Sequence, residues 1–183
     1  MKKAYIFTAQ GVEEIECLTQ VDLLRRAGIE VIICAVGKDL TIQGSHGISF
    51  RADVPIEDAD VKDADALILP GGMPGTLNLI GDETLAGILK AAEGRNTLIC
   101  AICAAPRVLG GLGLLKEHTA TCYPGCEEYL TGAVTTEQEV EVSGQFVTSR
   151  GVGTAIPFAL KIIELLQGKE QSEKIRESIV FQG

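Results

Sequence analysis

The chain has 183 residues, a length that one sizeable hydrophobic core can organise. Hydrophobic residues make up 46% and charged residues 22%, which reads as soluble and globular rather than disordered. The formal net charge of -9 argues against a nucleic-acid partner, because phosphate-backbone binding needs a basic surface.

No apolar run approaches the roughly 20 residues that cross a bilayer. The two N-terminal lysines lead into about six apolar residues and then into acids, too short a stretch for a secretory signal. A cytoplasmic location is therefore expected. The six cysteines, at 17, 34, 100, 103, 122 and 126, are then expected as reduced thiols rather than a disulfide framework.

In chain order, Lys3–Thr8 reads as a buried strand and Glu13–Ala27 as a helix with apolar residues at helical spacing, ended by Gly28. Ile29–Val36 is a second apolar strand. Strand, helix and strand in this span form a βαβ unit, so the sheet is parallel and covered on both faces. Strands follow at Ala66–Leu69 and Thr97–Ile102, with helices at Thr84–Ala92 and Ala104–Leu112. Val134–Val147 holds two short strand runs around Ser143-Gly144, read as a hairpin. Gly153–Leu166 and Glu170–Ser178 close the chain as helices. The pattern is a doubly wound α/β fold, whose ligands sit beyond the carboxyl ends of its strands. No G-x-G-x-x-G follows the first strand and no P-loop is present. Gly151–Thr154 (GVGT) reads as a tight turn at a helix start.

The segment LICAICAAPRVLGG carries the sharpest chemical signal. An apolar strand runs into Cys103, then into small residues and a helix, so the turn exposes the side chain above the sheet. A thiolate at a helix N-terminus is stabilised, and its pKa is expected to fall from about 8.5 towards roughly 3.5–7.5. Gly71-Gly72 follows the preceding strand, and its backbone N–H groups can approach a ligand unobstructed. With the N–H of Ala104, that of Gly72 can form an oxyanion hole. Glu16 stands one turn into the first helix. Held near a thiolate its carboxyl pKa rises, and when protonated it can hydrogen-bond the sulfur and shuttle protons. Glu13 and Glu14 are expected to serve only the helix dipole.

On GVEEIE, VDLLRRAGI, LPGG-x-x-G at 69–75, AICAAP at 101–106, TSRGVGTA at 148–155 and LKIIELLQGKE at 160–170, the chain resembles the ThiJ/PfpI superfamily. Within it, the resemblance is to the branch of the Parkinsonism-associated deglycase and its bacterial relatives. It covers nearly the whole chain and implies one domain over 1–183, with a flavodoxin-like doubly wound sandwich of the class I glutamine-amidotransferase type, and usually a homodimer. It implies that Cys103 is the nucleophile, that Glu16 is its partner carboxyl group, and that Gly72 and Ala104 are the backbone oxyanion donors. Asp22, Arg26 and Arg150 match charged residues near the dimer and active-site region. Two positions depart from the family. Tyr123 stands where a His is frequent, which removes a Cys–His dyad and with it an amidase or protease reading. His46, after Ser45, stands where an Arg is found, and reads as a pocket, interface or solvated loop residue. His118 reads as a surface residue.

The implied activity is cofactor-free and metal-free conversion of small reactive carbonyls such as methylglyoxal, or of glycated thiols and amines. The alternative is a non-enzymatic oxidative-stress sensor or redox-regulated chaperone, acting through oxidation of Cys103 to the sulfinate. Cys100 is expected to point into the core, away from the elbow. Cys122 or Cys126 is a candidate resolving thiol, and Cys17 and Cys34 read as packing residues.

Overall fold

A computed structural model describes all 183 residues. The strands are β1 (Lys3–Thr8), β2 (Glu30–Ala35), β3 (Thr41–Gln43), β4 (Ser49–Arg51), β5 (Val54–Pro55), β6 (Ala66–Leu69), β7 (Leu98–Ile102), β8 (Thr119–Ala120), β9 (Val134–Thr135), β10 (Val140–Ser143) and β11 (Phe146–Ser149). The helices are α1 (Glu14–Arg26), α2 (Gly75–Ile80), α3 (Glu83–Ala92), α4 (Pro106–Gly111), α5 (Ala155–Gln167) and α6 (Lys169–Ser178).

Seven strands form the central sheet in the order β10-β11-β7-β6-β1-β2-β5, and only β10 runs antiparallel to its neighbour. Strand alternation splits the core into two. Ala4 and Ile6 of β1 join Cys100 and Ile102 of β7 on the face covered by α1, α5 and α6. Tyr5 and Phe7 join Ile99 and Ala101 on the face covered by α2, α3 and α4. Because both faces are buried, the central strands read as continuous apolar runs. This is a flavodoxin-like sandwich of the class I glutamine-amidotransferase type, as expected. From β1 the chain winds through α1 to β2 on one side, and later through β6 and β7 to β11 on the other. The reversal leaves a crevice at the carboxyl ends of β1, β6 and β7.

Several short elements escape a reading by periodicity. The β3–β4 hairpin has one buried side chain in β3 and a half-buried one in β4, too short for a pattern to register. Residues 134–135 do not join the expected hairpin. They pair in parallel with β8, and only Val140–Ser149 makes the antiparallel turn. A 3-10 turn at Val152–Thr154 precedes α5, so GVGT is a turn at a helix start. His118 is half-buried rather than a surface residue. Its ring meets Phe146 edge-on at 4.8 Å and its Nδ1 lies 2.9 Å from Ser143 Oγ.

Phe158, fully buried on α5, packs on the sheet face shared with α1. Phe158→Ala is expected to cost about 3–5 kcal/mol, read as a lowered urea midpoint with an unchanged slope.

Candidate active site

Three turns meet at the crevice. The turn after β7 holds Cys103 in the left-handed region, with φ of 65°. That conformation is uncommon for a residue with a Cβ, and such strain clusters at functional sites. It is held by two backbone bonds: Cys103 N–H donates to Ser149 O at 3.0 Å, and its carbonyl accepts Tyr123 N–H at 2.8 Å.

The turn after β6 brings glycine where nothing larger fits. A Cβ on Gly71 would stand 2.7 Å from Glu16 Oε2 and 2.8 Å from the Cβ of Cys103. Gly72 combines a φ of +93° with a backbone contact, since a Cβ there would stand 2.2 Å from Glu13 N. The missing side chains let Gly71 N–H donate to Glu16 Oε2 at 2.9 Å. The N–H groups of Gly72 and Ala104 donate to no backbone carbonyl and turn to the Cys103 sulfur instead.

The third turn follows β1 and starts α1. Glu13 caps the helix, its Oε2 accepting Glu16 N–H at 2.7 Å. Glu16 is fully buried; its Oε2 accepts Gly71 N–H, its Oε1 has no hydrogen-bond partner, and the carboxyl group lies against the Cys103 thiol. Burial pushes the Glu16 carboxyl up to about 7, with the Glu13 charge adding to the rise and the neighbouring Cys103 thiol and Gly71 N–H opposing it. Burial and then the Glu16 charge push the Cys103 thiol up, while the Ala104 and Gly72 N–H groups act the other way. The low thiol pKa expected from a helix terminus is therefore not found. Helix α4 starts only at Pro106, runs six residues, and is outweighed by burial and a like charge. The upward influence of Glu16 lasts only while Glu16 is ionised. Once protonated, it offers the sulfur a proton instead of a repelling charge, so the pair favours a single shared negative charge.

Cys103, Glu16 and Glu13 line a cleft of about 540 Å³ together with Tyr123, Pro124, Arg150 and the Gly151–Thr154 turn. Tyr123 and Arg150 thus reach the site. Asp22 and Arg26 do not. They pair with each other at 2.6 Å on the exposed side of α1 and line a separate apolar groove of about 870 Å³. That groove is larger but contains no cysteine, so the candidate nucleophile lies in the smaller cleft. His46 also lies outside the cleft. It is exposed, its N–H donates to Glu14 Oε1 at 2.7 Å, and its Nδ1 lies 3.0 Å from Glu14 Oε2. Glu14 is correspondingly no solvated dipole residue. It is buried, and although burial alone would raise its carboxyl, hydrogen bonds from its own backbone, His46 and Ile48 bring it down to about 2.

Cys122 and Cys126 are buried in the core on the α4 side and are absent from the cleft lining, so neither stands as a resolving thiol facing Cys103. Cys17, Cys34 and Cys100 are fully buried. Sequence reasoning missed Glu13 as a wall of the cleft. Its position three residues before Glu16, a capping spacing, was the available signal.

A doubly wound sandwich with a strained, half-exposed thiol at a strand-to-helix elbow and a buried carboxyl group against it defines the class. The chain belongs to the DJ-1/PfpI family, whose model matches residues 2–165. It is 35% identical to the Parkinson disease protein 7 homolog of Danio rerio, over 98% of this chain and 97% of that protein. It is 33% identical to the glutathione-independent glyoxalase DJR-1.2 of Caenorhabditis elegans, over 91% of this chain and 89% of that protein. Against the Arabidopsis thaliana DJ-1 homologs A and B it is 36% identical but spans less than half of their length. The structure of oxidized Toxoplasma gondii DJ-1 superposes with a TM-score of 0.96 at 36% identity, covering all of both chains.

Glu16 gives the site a pH signature. Its carboxyl titrates near 7 in the folded chain and about 4.5 when unfolded. The folded state therefore holds a proton that the unfolded state has lost. This stabilising contribution is complete below about pH 4.5 and disappears as pH rises through about 7. Glu16→Gln is expected to escape that loss. Its stability relative to the parent should improve by about 1–3 kcal/mol between pH 4.5 and 8, followed by urea unfolding across that range.

Proposed function

We propose that this protein is a cysteine-dependent, cofactor-free enzyme acting on reactive α-dicarbonyls or their early glycation adducts. The observation that carries the reading is the joint placement of Cys103, a Glu16 carboxyl group that titrates near 7, and the Gly72 and Ala104 N–H groups turned to the sulfur. The likeness to a glutathione-independent glyoxalase supports it.

On methylglyoxal, the Cys103 sulfur adds to the aldehyde carbon and the Gly72 and Ala104 N–H groups hold the resulting oxyanion. Glu16 takes the proton from that carbon, giving an enediol, and returns it to the neighbouring carbon. The result is a 2-hydroxy thioester on Cys103. Water then releases lactate and restores the thiol, so the net reaction consumes one water and no cofactor. A group with a pKa near 7 serves both directions of proton transfer at neutral pH. Arg150 is the only cation lining the cleft, which fits a small polar substrate.

A second reading has its own support. The neighbouring Toxoplasma gondii structure is of the oxidized protein, and a Glu16 proton beside the sulfur stabilises a sulfinate equally well. In this reading two equivalents of peroxide convert the Cys103 thiol to the sulfinic acid with release of two waters, and the protein acts as a stress sensor or redox-regulated chaperone.

Lactate production from methylglyoxal in the absence of glutathione separates the two. The enzyme reading expects turnover that Cys103→Ala abolishes and that Glu16→Gln lowers about 10²–10⁴-fold in kcat. Absence of lactate, with a stable gain of two oxygens confined to Cys103 in the intact mass after mild peroxide, selects the sensor.

We also propose that a second copy of this chain covers the apolar groove between α1 and the C-terminal residues. Exposed Ile15, Ile48 and Val180 lie there, an apolar surface that a homodimer would bury. Sedimentation equilibrium is expected to give a dimer that Ile15→Glu dissociates. A monomeric parent protein would refute it.

A further inference from the structure

Arg150 is the sole cation lining the Cys103 cleft, amid the carboxyl groups of Glu13 and Glu16. It belongs to none of the chain's ion pairs, whereas Arg25, Arg26 and Arg176 each have a carboxylate. Its Nη1 is buried without any hydrogen-bond partner. A guanidinium presents five donors and cannot shed its charge, so withdrawing one from water without a counter-charge is unfavourable. Its backbone, in contrast, is well held. Ser149 pairs with Ile102 across β11 and β7, which sets Arg150 level with Cys103 on the adjacent strand end. Thr154 Oγ1 then accepts the N–H groups of Arg150 at 3.2 Å and of Gly151 at 3.1 Å. A fixed backbone beside the nucleophile thus carries a guanidinium that is in no ion pair and has one buried nitrogen without a partner.

The proposed dicarbonyl chemistry makes a specific demand on such a group. Its intermediate carries oxygens on two adjacent carbons. The Gly72 and Ala104 N–H groups sit at the sulfur and account for the oxygen on the carbon that sulfur attacks. The oxygen on the neighbouring carbon needs another donor, and so does the carboxylate formed at release.

We propose that Arg150 is an anion-recognising residue of the cleft and that the site holds small 2-hydroxycarboxylates through a charge-assisted contact with its guanidinium. This assignment deepens the dicarbonyl reading and rests on it for the identity of the ligand class. Bidentate pairing of a planar guanidinium with a planar carboxylate gives the contact both strength and orientation. The missing counter-charge of Arg150 is then supplied by the ligand.

Calorimetric titration of the wild-type protein with glycolate and with its neutral isostere glycolamide tests the assignment without any turnover. Glycolate is expected to bind at least tenfold more tightly, and equal affinities would overturn the proposal. Arg150→Met is expected to lose at least tenfold in glycolate affinity and Arg150→Lys less, with glycolamide binding unchanged in both. Undiminished glycolate binding by a folded Arg150→Met would also overturn it. Lactate formation from methylglyoxal is scored separately. Binding that depends on Arg150 without turnover leaves the subsite standing and removes the enzyme reading. Turnover with binding indifferent to Arg150 does the reverse.

Discussion

The site turns on the contact between the Gly71 backbone and the Glu16 carboxyl group. A hydrogen bond of 2.9 Å joins them, and it exists only because position 71 has no side chain. That one bond ties the end of β6 to the first turn of α1 and presses a carboxyl group against the thiol at the end of β7. A methyl group on position 71 would intrude on both catalytic candidates at once. The sheet serves this contact, since parallel strands deliver three turns to one edge while the two apolar cores hold the strands still.

The electrostatics of the cleft follow from that crowding. A buried carboxyl group and a half-buried thiol cannot both ionise cheaply, so burial makes each group's charge depend on the other's proton. A helix terminus, the feature that a sequence advertises, has a smaller part in this. Reactivity here is a property of the pair, and its proton inventory changes close to neutrality.

Much of the fold was legible because the long strands and helices are amphipathic or fully apolar over many residues. Lys3–Thr8 was read with the observed bounds, and α1 and α3 within a residue or so. Short elements such as the β3–β4 hairpin and the β8–β9 pair have too few residues for a period to appear, and the β8–β9 pair also runs in parallel, with no hairpin turn to mark it. In the site, Cys103 and Gly71-Gly72 announce themselves through turn chemistry. Arg150 and Tyr123 stood out only by resemblance. Asp22 and Arg26, expected near the dimer or the active site, look onto the apolar groove rather than the cleft, because a helix has several faces. Glu14 was misjudged for a related reason. Its burial is created by the loop at residues 44–48, which packs over it from more than thirty positions away.

The distribution of sulfur has a practical corollary. Five of the six cysteines are buried, and burial pushes the thiols of Cys17, Cys34 and Cys122 up to about 12. Cys103 alone is partly open to solvent. The native chain thus behaves towards a thiol reagent as a protein with one cysteine, and the unfolded chain as one with six. Stoichiometry of labelling becomes an internal gauge of foldedness, and a fluorophore placed on the intact protein has a single address.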